Sequence, residues 1–103
     1  MDIKQLITFR TLAQEKNYMK TSEKLSYAPS TLAKHIRSLE DELQVQLVEY
    51  RNGKIELTYD GKRFMRYADE MLSVYFKLQY EFDQTKSAIG TIRVARSEER
   101  RVG

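Results

Sequence analysis

The hydrophobic period changes once in the middle of this chain, and that change limits the folds open to it. Up to residue 43 the apolar residues recur mostly at three- and four-residue spacings, as in helices packed by one face. Leu47, Val48 and Tyr50 then lead into Asn52-Gly53, followed by Ile55 and Leu57. Asn-Gly between two short apolar runs marks a β-hairpin, because a type I′ turn needs positive φ at both central residues. From Tyr59 to about residue 88 the helical period returns, with no proline and with Gly61 as the only glycine. Phe64, Ala68, Met71, Tyr75, Leu78 and Phe82 step by four, three, four, three, four. That is a heptad seam along a helix of ~30 residues, or ~45 Å.

The first 43 residues divide at clear punctuation. Residues 2–16 read as a helix carrying Ile3, Leu6, Ile7, Leu12 and Ala13, with Phe9 on the flank of the stripe. Asp2 is placed to cap it, with Gln5 three residues on. Residues 17–19 break the pattern, and a short helix runs from Lys20 to about Leu25. Pro29, the only proline, opens the next helix, since proline suits a first turn. There Leu32, Ile36, Leu39 and Leu43 form one apolar stripe. Thr58 can cap the long helix, Gly90 is expected to end it, and residues 91–95 read as the beginning of a strand.

Composition removes whole classes of chemistry. The chain has 103 residues, so it holds one domain, or one small domain with an extension. It contains no cysteine, which excludes disulfides, zinc–thiolate sites, iron–sulfur clusters and thiol nucleophiles. One histidine, His35, cannot build a multi-histidine metal site, and no cofactor is expected. No apolar run approaches the ~20 residues that span a bilayer, and the N-terminus has no signal core, so a cytoplasmic location without membrane attachment is expected. With 18 Lys+Arg against 15 Asp+Glu the net charge is +3. So small an excess names no partner, and only the placement of the charges can.

That placement points to nucleic acid. Three helices followed by a two-stranded hairpin make a winged helix-turn-helix, a mainly α fold, here followed by a long dimerisation helix. In such a fold the short second helix crosses the DNA backbone and the third lies in the major groove. The helix from Pro29 carries Ser30, Thr31, Lys34 and Arg37 opposite its apolar stripe, with His35 beside them. Its acidic residues, Glu40, Asp41 and Glu42, come only afterwards. The free N–H groups of its first turn add an attraction for phosphate. Arg51 and Lys54 flank Asn52 and Gly53 at the hairpin tip, where a basic wing can reach an adjacent groove or backbone.

The motifs also resemble one family. L-x-T-F-x-x-L-A-x-x-x-N-Y over residues 6–18 and A-P-S-T-L-A-K-H-I-R-S-L-E-D-E-L over 28–43 are similar to the opening of LysR-type transcriptional regulators. L-V-E-Y-R-N-G-K-I-E-L-T-x-x-G over 47–61 resembles that family's wing and linker entry. The resemblance implies a DNA-binding domain over 1–58, with its helix-turn-helix at 18–37 and its wing at 47–57. It implies a linker helix at 59–89 that pairs two copies antiparallel, through Phe64, Ala68, Met71, Tyr75, Leu78 and Phe82. Residues 90–95 would be the first strand of an effector-binding domain that is otherwise absent. The implied partners are double-stranded DNA and a second copy, with a tetramer open to a longer chain. A small-molecule effector would bind only through the missing domain. Residues 96–103 resemble translated sequencing-adapter sequence, a non-native tail, and are assigned no function.

On this reading Lys20, Lys34, Arg37 and the wing meet phosphates, while Ser30, Thr31 and Lys34 face base edges. Several positions depart from the family pattern: Met19 in place of a capping Thr, Thr21 and Ser22 in place of Ala-Ala, Ala28 and Ala33 in place of hydroxyl residues, Gln44 in place of Gly, and Tyr50 in place of Arg. Two other readings remain open. The winged helix could dock protein instead of DNA, which would remove the salt dependence of DNA affinity. A small enzyme would need a paired acid and base, a metal cluster or a phosphate loop, and the sequence suggests none of these.

Overall fold

The computed structural model describes residues 1–92. The elements run α1 (Ile3–Glu15), α2 (Tyr18–Leu25), α3 (Pro29–Leu43), β1 (Val48–Arg51), β2 (Lys54–Leu57) and α4 (Tyr59–Ile92). One compact unit ends at Leu72, and a second begins at Ser73.

Local signals account for most boundaries. The Asp2 carboxylate accepts the Gln5 N–H at 2.8 Å and starts α1. The Gln5 side chain does not return to the cap; its Nε2 donates to Ser38 Oγ on α3 at 3.2 Å. Helix α2 begins at Tyr18, two residues before the expected start, because the Asn17 side chain accepts the Lys20 N–H at 2.9 Å. Met19 therefore lies inside the first turn, and Asn17 supplies the cap. Thr21 and Ser22 are tolerated in α2 because each hydroxyl finds a carbonyl: Thr21 donates to Asn17 O at 2.8 Å and Ser22 to Tyr27 O. The second of these bonds pins the turn into α3.

Helices α1, α2 and α3 all end on a left-handed residue that is not glycine: Lys16 at φ 60°, Ser26 at 62° and Gln44 at 59°. A side chain in that region costs roughly 1–2 kcal/mol. At Gln44 part of this is offset, since its Nε2 donates to Asp41 O at 2.6 Å. We expect Gln44→Gly to stabilise the fold by about 0.5–1 kcal/mol, read as a higher urea midpoint with an unchanged slope.

The core of the first unit is built from Leu6, Phe9 and Leu12 of α1, Ile36 and Leu39 of α3, Leu47, Ile55, and Phe64, Ala68 and Leu72 of α4. Phe9, expected on a flank, is fully buried and meets Phe64 with ring centroids 5.2 Å apart. It is buried because α1 is enclosed on several sides, so its second face also turns inward. Leu43, expected on the buried stripe, is 36% exposed; the stripe outruns the core by one turn.

The heptad seam also divides. Phe64 and Ala68, at 8% and 0% exposure, belong to the core of their own unit, so the expectation that both face a partner is corrected. Met71, Leu78 and Phe82 are exposed and Tyr75 is half-buried. Periodicity alone cannot distinguish a helix's own domain from a second copy, because either one fills the same spacing.

Strands β1 and β2 pair antiparallel, with Tyr50 opposite Ile55 and Arg51 opposite Lys54. Asn52 and Gly53 take φ 52° and 77°, the two positive values that a type I′ turn requires. The hairpin is tied back at three points. Ile55 N–H donates to Lys16 O at 3.0 Å, Lys16 pairs with Glu56 at 3.8 Å, and the Glu40 carboxylate accepts the Leu47 N–H at 2.8 Å. Removing that carboxylate strands a part-buried donor, so Glu40→Ala should lower stability by about 1–3 kcal/mol, measured by urea unfolding.

Helix α4 continues through Gly90 to Ile92. A lone glycine costs a helix only about 1 kcal/mol, too little to stop it. Residues 90–92 are thus helical where a strand was expected. Residues 93–95 and the 96–103 tail lie outside the described residues.

Candidate nucleic-acid interface

Helix α3 has no side-chain cap. Its N-cap is Ala28, and Pro29 fills the first turn. Leu32, Ile36 and Leu39 turn inward, which sends Ser30, Lys34 and Arg37 to the opposite, exposed side. Thr31 is half-buried, Pro29 is exposed, and the hairpin tip exposes Arg51, Asn52 and Lys54. Lys20, on the first turn of α2, is exposed as well.

The charges sort into two groups. Lys24 pairs with Glu15 at 2.9 Å, Lys16 with Glu56 at 3.8 Å and Arg63 with Asp60 at 2.8 Å. Arg51 reaches Glu49 at 3.8 Å, with 68% of its side chain still exposed. Lys20, Lys34, Arg37 and Lys54 form no ion pair among the described residues. Exposed cations that form no ion pair remain available to a polyanion.

Tyr18 is half-buried at the start of α2. Burial pushes its phenol above the ordinary tyrosine value; the Glu40 carboxylate adds to the rise, Arg37 opposes it, and Tyr50 adds a further rise. Charged and polar groups from α3 and β1 thus act on a hydroxyl carried by α2.

His35 is placed differently from its neighbours. It is half-buried, its Nδ1 lies 2.8 Å from Thr8 Oγ1 on α1, and its ring meets Tyr27 edge-on at 5.4 Å. The expected exposed neighbour of the groove is thus partly an internal contact, because a flat imidazole can pack by its face and bond by its edge. Asn17, Glu40 and His35 hold the site together, and sequence reasoning missed these roles. Asn17 had a readable signal, a cap residue three positions before Lys20. No group of three or more metal-ligating side chains occurs among the described residues. No described helix is long and apolar enough to cross a membrane.

A profile of the bacterial regulatory helix-turn-helix protein, lysR family, matches residues 3–62. The chain belongs to this family. The uncharacterized HTH-type transcriptional regulator YwqM of Bacillus subtilis is 34% identical over 98 residues, covering 95% of this chain and 33% of YwqM. The LysR-family chain thus spans about a third of the length of such curated relatives. Its fold is similar to the DNA-binding domain of BenM, solved in complex with catB site 1 DNA. There the TM-score is 0.77 at 29% identity, over 84% of this chain and 98% of that one. CbnR, a LysR family transcriptional regulator, aligns with TM-score 0.74 at 26% identity, over 85% of this chain and 29% of CbnR.

Proposed function

We propose that this chain is the DNA-contacting part of a LysR-type transcriptional regulator and that it binds duplex DNA as a dimer. One observation carries the reading: Lys34 and Arg37 on α3 and Arg51 and Lys54 at the wing tip are exposed, and Lys34, Arg37 and Lys54 form no ion pair among the described residues. In this reading α3 enters a major groove. Lys20, Lys34, Arg37, Arg51 and Lys54 neutralise phosphates, Asn52 sits at the wing tip beside them, and Ser30, Thr31 and Lys34 reach base edges. Binding, not catalysis, is the chain's activity, and the cytoplasm is its place. An effector would act through a further domain.

The test is affinity against salt. Each phosphate contact contributes a slope of about −0.9 in log affinity against log salt. Lys20→Ala should flatten that slope by about 1, and Lys34→Ala should cost about 1–3 kcal/mol on the preferred site. An affinity that ignores salt would instead favour a protein-docking role for the winged helix.

The dimer reading rests on α4. The seam spacing is palindromic about residue 73, so antiparallel copies set Met71 opposite Tyr75. The same pairing faces exposed Arg63 with exposed Asp83, and Asp69 with Lys77. Parallel copies would set like charges together. Leu43, Val45, Phe64 and Tyr67, with the charged Asp60, Arg63 and Arg66, line a hollow of about 320 Å³, where Phe82 of the second copy would sit. This gives the exposed Leu43 a partner.

A further inference from the structure

Thr8 is fully buried in the middle of α1, so its hydroxyl hydrogen needs an acceptor. A helical threonine commonly uses the carbonyl four residues back, as Thr21 does with Asn17 at 2.8 Å. Among the described residues Thr8 makes no such bond, and its one hydrogen-bond partner is His35 Nδ1 at 2.8 Å. The hydroxyl must therefore donate, and Nδ1 must offer its lone pair. An uncharged ring that accepts at Nδ1 carries its hydrogen on Nε2. The reverse tautomer would leave the Thr8 hydrogen buried with no acceptor, since the oxygen would then be receiving the Nδ1 hydrogen.

The neighbours of this pair show what the bond does. His35 lies on α3 between exposed Lys34 and buried Ile36, on the boundary of the apolar stripe. Its ring makes a T-shaped contact with Tyr27, the residue whose carbonyl accepts from Ser22 in the turn before α3. A second polar link between α1 and α3 is Gln5 to Ser38, one turn further along and solvent-exposed. The bond from Thr8 is part-buried, and its acceptor lies next to Lys34 in the sequence.

We propose that His35 is a positioning residue. Thr8 holds it as the Nε2–H tautomer, and the bond sets the angle at which α3 presents Lys34 and Arg37. The DNA consequence rests on the function proposed above; the tautomer does not.

Because His35 is the only histidine, its ring can be read without assignment in nitrogen-15 spectra of the full chain. The expected spectrum has a pyrrole-type signal on Nε2 and a pyridine-type signal on Nδ1. Thr8→Val keeps the volume and removes the hydroxyl, and a population of the Nδ1–H form should then appear. A wild-type ring protonated on Nδ1, or a Thr8→Val spectrum identical to the wild type, would overturn the proposal.

DNA affinity separates positioning from contact. His35→Asn keeps an acceptor at the place of Nδ1, and should bind within about twofold of the wild type. His35→Gln carries its amide nearer the place of Nε2, and should bind about fivefold more weakly or worse. The opposite order would make Nε2 the important edge and refute the positioning role. If the wild type binds no duplex, the proposed function fails while the spectrum still decides the tautomer.

Discussion

Gly61→Ala is expected to leave the chain with little stable fold at 37 °C. A Cβ at Gly61 would stand 2.1 Å from Leu47 O, 3.1 Å from Leu47 C and 3.3 Å from Leu57 Cβ. The closest of these is backbone, and it is held in place. Leu47 O accepts the Thr58 N–H at 3.0 Å, Leu47 N–H is bound to Glu40 at 2.8 Å, and the Leu47 side chain is fully buried. The helix cannot retreat without breaking its cap. Thr58 Oγ1 accepts the Gly61 N–H at 3.0 Å while donating to Gln46 O at 2.6 Å. Forced overpacking costs typically 1–3 kcal/mol, and a backbone clash with no free direction belongs at or above the top of that range. For a domain of this size about 3 kcal/mol corresponds to a fall of roughly 15 °C in melting temperature.

Gly53→Ala is the matched control. Gly53 has φ +77°, yet nothing lies within 4 Å of its would-be Cβ. Its cost should be limited to backbone strain, about 1–2 kcal/mol. Thermal melts followed by circular dichroism decide between the two. A Gly61→Ala chain that melts with the wild type would mean that α4 does not dock on the wing as described.

Met71→Asp is expected to separate the two copies. Met71 is 37% exposed, so the first unit should tolerate the change and melt near the wild-type temperature. In the antiparallel pairing, however, the new carboxylate would lie against Tyr75 of the second copy, and by symmetry twice. Burying an unpaired carboxylate there should weaken the dimer by at least about 100-fold. Sedimentation should show a monomer at micromolar concentration. Binding to a two-half-site duplex should fall towards that of a single half-site. A variant that still sediments as a dimer would move the interface off this face of α4.

The ease of reading differed from element to element for physical reasons. Asn52-Gly53 announced the hairpin because few other residues accept positive φ twice in succession. Asp2 and Thr58 announced helix starts because a cap is a local bond between residues three apart. Leu32, Ile36 and Leu39 could be assigned to the core because a short helix has one body to pack on. The seam of α4 could not be assigned in this way. Phe64 and Ala68 meet the chain's own core, whereas Met71 and Phe82 do not, yet all of them share one spacing. Glu40 stands in the sequence as one of three acidic residues at the end of α3, and its bond to Leu47 depends on a turn whose path the sequence does not give. Gly61 was visible as an early glycine, but the carbonyl it makes room for was not. His35 read as polar and outward; its bond runs to Thr8, 27 positions away. The exposed cations of α3 followed from the apolar stripe, since whatever lies opposite a buried face must meet water.

The mode of binding depends on which side of α3 meets DNA. Amide chemical-shift mapping of the nitrogen-15-labelled chain against a duplex, at low salt, tests that most directly. The predicted result is a set of shifts concentrated on residues 30–37 and 51–54, with Lys20 moving too, all fading as salt is raised. Shifts that leave 30–37 unchanged and gather elsewhere, on α1 or along α4, would contradict it.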